Sequence, residues 1–187
     1  MSTTEIVVRH LEAIDEVRRV EALQREIWQM PGDREVVPLH LLVTAQKNGG
    51  LLLGAFSGEE LAGFLFGFLG RTADGRWKHC SHMLGVLAPY RGRGIGETLK
   101  AHQRAFVMEQ GLDLITWTYD PLESVNAFLN IGKLGAICRT YLRNVYGDLR
   151  DELNRGLPTD RFQVDWWLRS ARVASRFIGG TPPAPPT

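Results

Sequence analysis

The part of the sequence best suited to bind a ligand is the glycine-rich run Arg-Gly-Arg-Gly-Ile-Gly. It lies between a strand pattern at residues 79–86 and a helical pattern at residues 94–110. Glycines let the backbone approach a ligand closely, and the first turn of a helix has unpaired N–H groups with a partial positive charge. We therefore predict a phosphate-binding turn. Its residues are Arg91, Gly92, Arg93, Gly94, Ile95 and Gly96.

Two common phosphate-binding motifs do not fit this run. A Walker loop ends in Gly-Lys-Ser/Thr, and a dinucleotide fingerprint needs a third glycine where the sequence has Glu97. The run matches the pattern Arg/Gln-x-x-Gly-x-Gly/Ala, with Val86, Pro89 and Tyr90 before it. In this respect it resembles the pyrophosphate-binding motif of GNAT (Gcn5-related N-acetyltransferase) acyltransferases. A tight strand-to-helix turn that holds no ligand is the alternative explanation of these glycines.

The elements that must position this turn predict a mixed α/β fold in one domain over residues 1–178. A proline-rich tail at residues 179–187 is expected to be disordered. The order β-α-α-β-β-β-α-β-α-β-β is similar to the GNAT order over residues 5–168. Short segments at residues 81–84, 115–123 and 156–162 resemble a little-characterised bacterial branch of that family. The predicted strands are 6–8, 51–56, 61–69, 79–86, 112–119, 137–146 and 162–168; helices begin near 13 and 38 and cover 94–110 and 122–133.

The resemblance implies a central mixed sheet with splayed fourth and fifth strands and helices on both faces. It implies acetyl-CoA or another acyl-CoA as the acyl donor and no metal. Backbone groups of Leu84, Gly85 and Val86 would bind the pantetheine arm, and an N–H near Leu84 would stabilise the oxyanion of a tetrahedral intermediate. Asn126 and Asn130, four residues apart on a short helix, are further candidates for contact with pantetheine.

His82 is the first candidate for the general base, because histidine titrates near neutral pH. It occupies the place of the second histidine in the His-x-His pair of serotonin N-acetyltransferase, whereas Cys80 replaces the first. A histidine packed within the strand is an equally good explanation of His82. By strand alternation, His79 is expected on the opposite face.

The general acid is not evident, because Ile131 stands where many GNAT enzymes carry a tyrosine. Tyr141 or Tyr119 could protonate the thiolate, or the thiolate could leave unaided.

Charged residues near the later strands are candidates for binding the acceptor. Asp120 and Glu123 could bind it or act as bases, or could cap the following helix. Arg139 could make a bidentate contact with a carboxylate, as could Arg143 and Arg161, or each could be a solvated arginine at a strand edge.

Composition limits the function classes. The 187 residues are 44% apolar and 23% charged with a formal net charge of +1, which gives no support for nucleic-acid or membrane binding. Two cysteines outside a CxxC spacing indicate neither a disulfide framework nor a zinc site. The start of the chain lacks a signal-peptide pattern, so a cytoplasmic location is expected.

These observations predict an acyl-CoA-dependent N-acyltransferase acting on a small-molecule amine or an amino acid, with a homodimer as a further expectation. A non-catalytic acyl-CoA sensor and a protein acetyltransferase are the alternatives.

Overall fold

The computed structural model describes residues 5–30, 32, 35–147 and 159–177. These residues form two compact units, one ending at Leu112 and the other beginning at Asp113. The predicted proline-rich tail at 179–187 and the segment at 156–158 lie outside the described residues. The single-domain prediction stays a prediction.

The first unit is built on an antiparallel sheet in the order β1-β2-β3-β4. The apolar runs and turn residues predicted from the sequence form its strands and helices. A short 3₁₀ turn, Ala88–Tyr90, was not predicted. The elements are β1 Ile6–His10, α1 Ile14–Trp28, α2 Leu39–Lys47, β2 Leu51–Ser57, β3 Glu60–Arg71, β4 Trp77–Val86 and α3 Ile95–Glu109.

Helices cover both faces of this sheet because β2 and β3 are apolar on both sides. Alternate residues such as Leu52 and Phe64 pack in one core cluster with side chains of α1 and α2. Their neighbours, such as Leu53 and Leu65, pack in a second cluster with Leu99 of α3. Each fully buried side chain of this kind stabilises the fold by about 1.5–3 kcal/mol. The mixed α/β prediction is confirmed.

The second unit contains a three-stranded antiparallel sheet in the order β5-β7-β6. Trp166 is its largest fully buried side chain, and its indole Nε1 donates to the backbone oxygen of Leu134 at 2.9 Å. The elements are β5 Leu114–Tyr119, α4 Ser124–Ala127, a π-helical segment Phe128–Lys133, β6 Ile137–Leu142, β7 Arg161–Trp167 and α5 Ala171–Ala174.

Two sequence predictions in the second unit need correction. The strand predicted over residues 137–146 ends at Leu142, because Asn144 adopts a positive φ of 47° and its N–H donates to the Asp160 carboxylate at 2.9 Å. The helix predicted over residues 122–133 is a single α-turn followed by the π-helical segment. The short helix α5 was not predicted.

Candidate active site

The glycine-rich run forms the connection between β4 and α3, as predicted. The N–H of Leu87 donates to Ala62 of β3 at 2.9 Å and fixes the start of the connection. Gly92 and Gly94 have φ values of 76° and 78°, in the left-handed region that glycine adopts without strain. Gly94 is the N-cap of α3 and provides no side chain to cap its first turn. The first-turn N–H groups therefore have no intrahelical partner.

The space beside these glycines is open to a ligand. A Cβ added at Gly92 or at Gly94 would meet no atom within 4 Å. Ile95 is buried and anchors the helix start in the core, whereas residues 91–94 are exposed. An exposed helix start on a rigid anchor is a suitable site for phosphate.

Two arginines add positive charge to this turn. The Nε of Arg91 donates to the Val86 carbonyl at 3.1 Å, which holds its side chain against the end of β4. The guanidinium of Arg93 lies 5.1 Å from the ring centroid of Tyr90. The Tyr90 hydroxyl in turn donates to the Glu60 carboxylate at 2.5 Å. The arrangement suits an anionic ligand.

A β-bulge in β4 determines where His82 lies. Phe66 of β3 pairs with Met83 and the next residue, Gly67, pairs with Ser81, so His82 is the extra residue. The imidazole of His82 contacts the rings of Phe66 and Phe68, on the face covered by α1 and α2. Met83 also packs on that face, whereas Ser81 contacts α3. The bulge thus puts two consecutive side chains on one face.

The sequence-predicted pantetheine ligands lie directly after this bulge. Leu84, Gly85 and Val86 pair with β3 residues, and the side chains of Leu84 and Val86 pack on the α3 side. Gly85 is buried on the other face, where an added Cβ would lie 2.8 Å from Ile27 and 3.0 Å from Trp28. Glycine at this position therefore lets the end of α1 pack closely on β4.

His82 keeps an exposed edge, and partial desolvation lowers its pKa below the ordinary value of 6.5. A neutral imidazole at neutral pH can accept a proton. The prediction that His79 lies on the opposite face is confirmed, because its ring packs against Phe106 of α3, with the two ring centroids 6.3 Å apart. His79 is fully buried, and burial followed by the charge of Lys100 lowers its pKa to about 4.

Sequence reasoning missed a buried polar cluster beneath β4. The ammonium of Lys100 donates to the Ser81 hydroxyl at 2.8 Å and to Gln103 Oε1 at 3.2 Å. Burial lowers the pKa of Lys100 well below its ordinary value. Neither ring nitrogen of His79 has a hydrogen-bond partner among the described residues. The helical spacing carried a signal for Gln103 alone, because this residue lies midway between Leu99 and Val107, and no local pattern marked Lys100 as buried.

The two asparagines predicted to share a face have different environments. Asn126 is exposed in α4, whereas Asn130 is 3% exposed within the π-helical segment. The wider turn of that segment changes the angular spacing between them. Ile131, the residue at the expected tyrosine position, also lies in this segment and is half-buried.

The remaining predicted residues lie elsewhere in the second unit. Asp120 accepts from the N–H of Leu122 at 2.9 Å and lies 3.6 Å from the Arg161 guanidinium. Glu123 is the N-cap of α4 without a side-chain cap bond. Arg139 is exposed on β6.

Tyr141 also lies on β6, and its hydroxyl donates to the Asp160 carboxylate. That hydrogen bond raises the pKa of Tyr141. The proton therefore stays on the Tyr141 hydroxyl, in the hydrogen bond to Asp160.

A family model described as the Acetyltransferase (GNAT) family matches residues 14–132. The match covers more than half of the 187-residue chain, so the chain belongs to the GNAT acetyltransferase family. Acetyl-CoA or another acyl-CoA is accordingly its acyl donor. A comparison with curated protein sequences found no significant match.

Solved structures with similar folds include a GNAT acetyltransferase from Streptococcus pneumoniae, with a TM-score of 0.70 and 16% identity over 86% of this chain and 98% of that one. An acetyltransferase from Salmonella typhimurium, solved with acetyl-CoA, has a TM-score of 0.69 and 14% identity over 89% and 96%. The ribosomal-protein-S18-alanine N-acetyltransferase of Escherichia coli has a TM-score of 0.66 and 14% identity over 89% and 96%. Likeness at these identities shows the fold.

No helix in the described parts of the chain has the length and apolar composition to cross a membrane.

Proposed function

We propose that the protein is an acyl-CoA-dependent N-acyltransferase that transfers acetyl or another short acyl group to the amine of a small molecule or an amino acid. The observation that carries the proposal is the uncapped start of α3, where Gly94 lies beside open space. The backbone N–H groups of residues 92–96 would bind the pyrophosphate, with Arg91 and Arg93 supplying charge. The donor contributes a reactive thioester carbon when bound.

The residues of β4 would then position the reaction. Backbone groups of Leu84, Gly85 and Val86 would hold the pantetheine arm, and the N–H near Leu84 would stabilise the oxyanion of the tetrahedral intermediate. His82, whose pKa is lowered by partial desolvation, would take the proton that the attacking ammonium must lose. Alignment of amine and thioester would supply much of the rate enhancement.

The roles predicted for the second unit remain proposals. Asn126 and Asn130 would bind pantetheine, and Tyr141 would protonate the thiolate after leaving Asp160. Asp120, Glu123 and Arg139 would contact the acceptor, with Asp120 and Arg139 suited to opposite charges on it.

A homodimer also remains a proposal. Leu122, Val125 and Phe128 of the second unit are 84%, 74% and 65% exposed, so their apolar surface is available for a second copy of the chain. Sedimentation velocity over a range of protein concentrations tests it.

The cytoplasmic location stays a prediction.

A non-catalytic acyl-CoA sensor is the second candidate, and Ile131 favours it because this side chain cannot donate a proton. Thiol release from acetyl-CoA and succinyl-CoA, measured with a panel of primary amines, distinguishes the two. The proposed enzyme releases thiol only when an acceptor is present. Stabilisation by coenzyme A against heat, with no thiol release for any amine, would instead support the sensor.

A further inference from the structure

Five rings lie in two contacting groups on the face of β3 and β4 that α1 and α2 cover, and we call them together the aromatic row. Trp28 packs edge-on against Phe64, with ring centroids 5.8 Å apart. Phe64, Phe66 and Phe68 occupy every second position of β3, and the ring centroids of Phe66 and Phe68 lie 6.0 Å apart. His82 contacts both of them, at 5.9 and 5.7 Å. The members of the row are Trp28, Phe64, Phe66, Phe68 and His82.

The two ends of the aromatic row are exposed while its middle is buried. Phe64 and Phe66 are 0% and 1% exposed, whereas Trp28 and Phe68 are 40% and 36% exposed. His82, the candidate base, is also exposed and lies against Phe68. Packing in the core explains the two buried rings. It does not explain why Phe68, beside His82, and Trp28, beside Gly85, are exposed. The exposed surface of Phe68 beside His82 is a suitable place for an apolar part of the acceptor.

The chemistry of the row selects one kind of ligand group. Trp28, Phe66 and Phe68 are uncharged, and His82 is uncharged when it acts as a base. A carboxylate placed against them would lose hydration without gaining a partner there, and a second cation would be repelled by His82 once it holds the proton. An aliphatic or aromatic group would instead remove apolar surface from water and could stack on the rings.

We propose that the acceptor is a primary amine with an apolar group on the carbon beside the reacting nitrogen, and that Phe68, which lies against His82, binds this group. The inference rests on the proposed function. The ammonium gives one proton to His82, and the free nitrogen bonds to the acyl carbon. The bond from that carbon to sulfur then breaks, the nitrogen loses its second proton, and the thiolate takes up one proton so that coenzyme A leaves as the thiol, while His82 releases its proton to water.

Amino-acid amides test the proposal because they differ only in the side group. We expect kcat/KM for leucinamide and phenylalaninamide to exceed that for serinamide by tenfold or more, measured as thiol release from acetyl-CoA. Phe68→Ala should remove most of this preference by raising KM more for the apolar amides than for serinamide.

Trp77→Ala is the matched control. Trp77 is a 58% exposed indole at the start of β4, and it lies against the Arg71 guanidinium at 5.5 Å, outside the aromatic row. Its removal should leave the preference intact. Equal kcat/KM for leucinamide and serinamide in the wild type, or an equal loss in Trp77→Ala and Phe68→Ala, would overturn the inference and leave the proposed function standing. No thiol release with any amine would overturn both.

Discussion

Replacing the buried His79 with leucine should make the protein less sensitive to acid. Burial, followed by the charge of Lys100, lowers the pKa of His79 from 6.5 to about 4. The unfolded chain therefore takes up this proton near pH 6.5 and the folded chain only near pH 4. Because the unfolded state binds more protons in this window, stability falls as the pH falls through it.

The size of the effect follows from the two pKa values. Their difference is about 2.5, and each pKa unit corresponds to about 1.4 kcal/mol, so His79 removes about 3 kcal/mol of stability between pH 7 and pH 4. Leucine has a similar volume and does not titrate. It also removes two ring nitrogens that have no hydrogen-bond partner among the described residues. Between pH 7 and pH 4, the free energy of unfolding of His79→Leu should therefore fall by about 3 kcal/mol less than that of the wild type.

Urea denaturation followed by tryptophan fluorescence at pH 4, 5, 6 and 7 measures this difference. His40→Leu is the control, because His40 is an exposed histidine of α2. The control should show the same dependence on pH as the wild type. Parallel curves for His79→Leu and the wild type would refute the reasoning.

Two further substitutions test the bulge and the packing beneath it. His82→Ala should lower kcat at pH 6 by about a hundredfold, and less at pH 9 where the free amine is abundant; an unchanged pH–rate profile would exclude His82 as the base. Gly67→Ala should lower the free energy of unfolding by about 1–3 kcal/mol. The reason is that the new Cβ would lie 2.3 Å from His79 Nε2 and 2.8 Å from the Cys80 carbonyl. Gly32→Ala, where the space is open, is its control, and equal melting temperatures for the two would contradict this account.

Much of the first unit could be predicted from the sequence because its signals are local. Apolar strands bounded by Gly and Asn, and the glycine run before α3, place the phosphate turn without tertiary information. The bulge at His82 was different. Alternation alone cannot show that His82 and Met83 share a face, because the bulge depends on how β4 pairs with β3.

The buried polar cluster shows a second limit of sequence reasoning. A lysine and a glutamine in a helix predict an exposed face, yet Lys100 and Gln103 are 3% and 0% exposed. Their burial depends on the hydrogen bond from Lys100 to Ser81 of β4, which is a tertiary contact, and on the hydrogen bond from Lys100 to Gln103. The π-helical segment that contains Asn130 similarly has no local signal in the sequence.

The central claim is that the N–H groups at the start of α3 bind the pyrophosphate of an acyl-CoA, and isothermal titration calorimetry with acetyl-CoA tests it most directly. Gly94 and Gly111 lie at opposite ends of α3, with φ values of 78° and 77°, and a Cβ added at either would meet no atom within 4 Å. Gly94→Glu and Gly111→Glu are therefore a matched pair. The wild type and Gly111→Glu should bind with similar affinity, and Gly94→Glu should show no binding. Wild-type affinity in Gly94→Glu, or no heat of binding for the wild type, would contradict the claim.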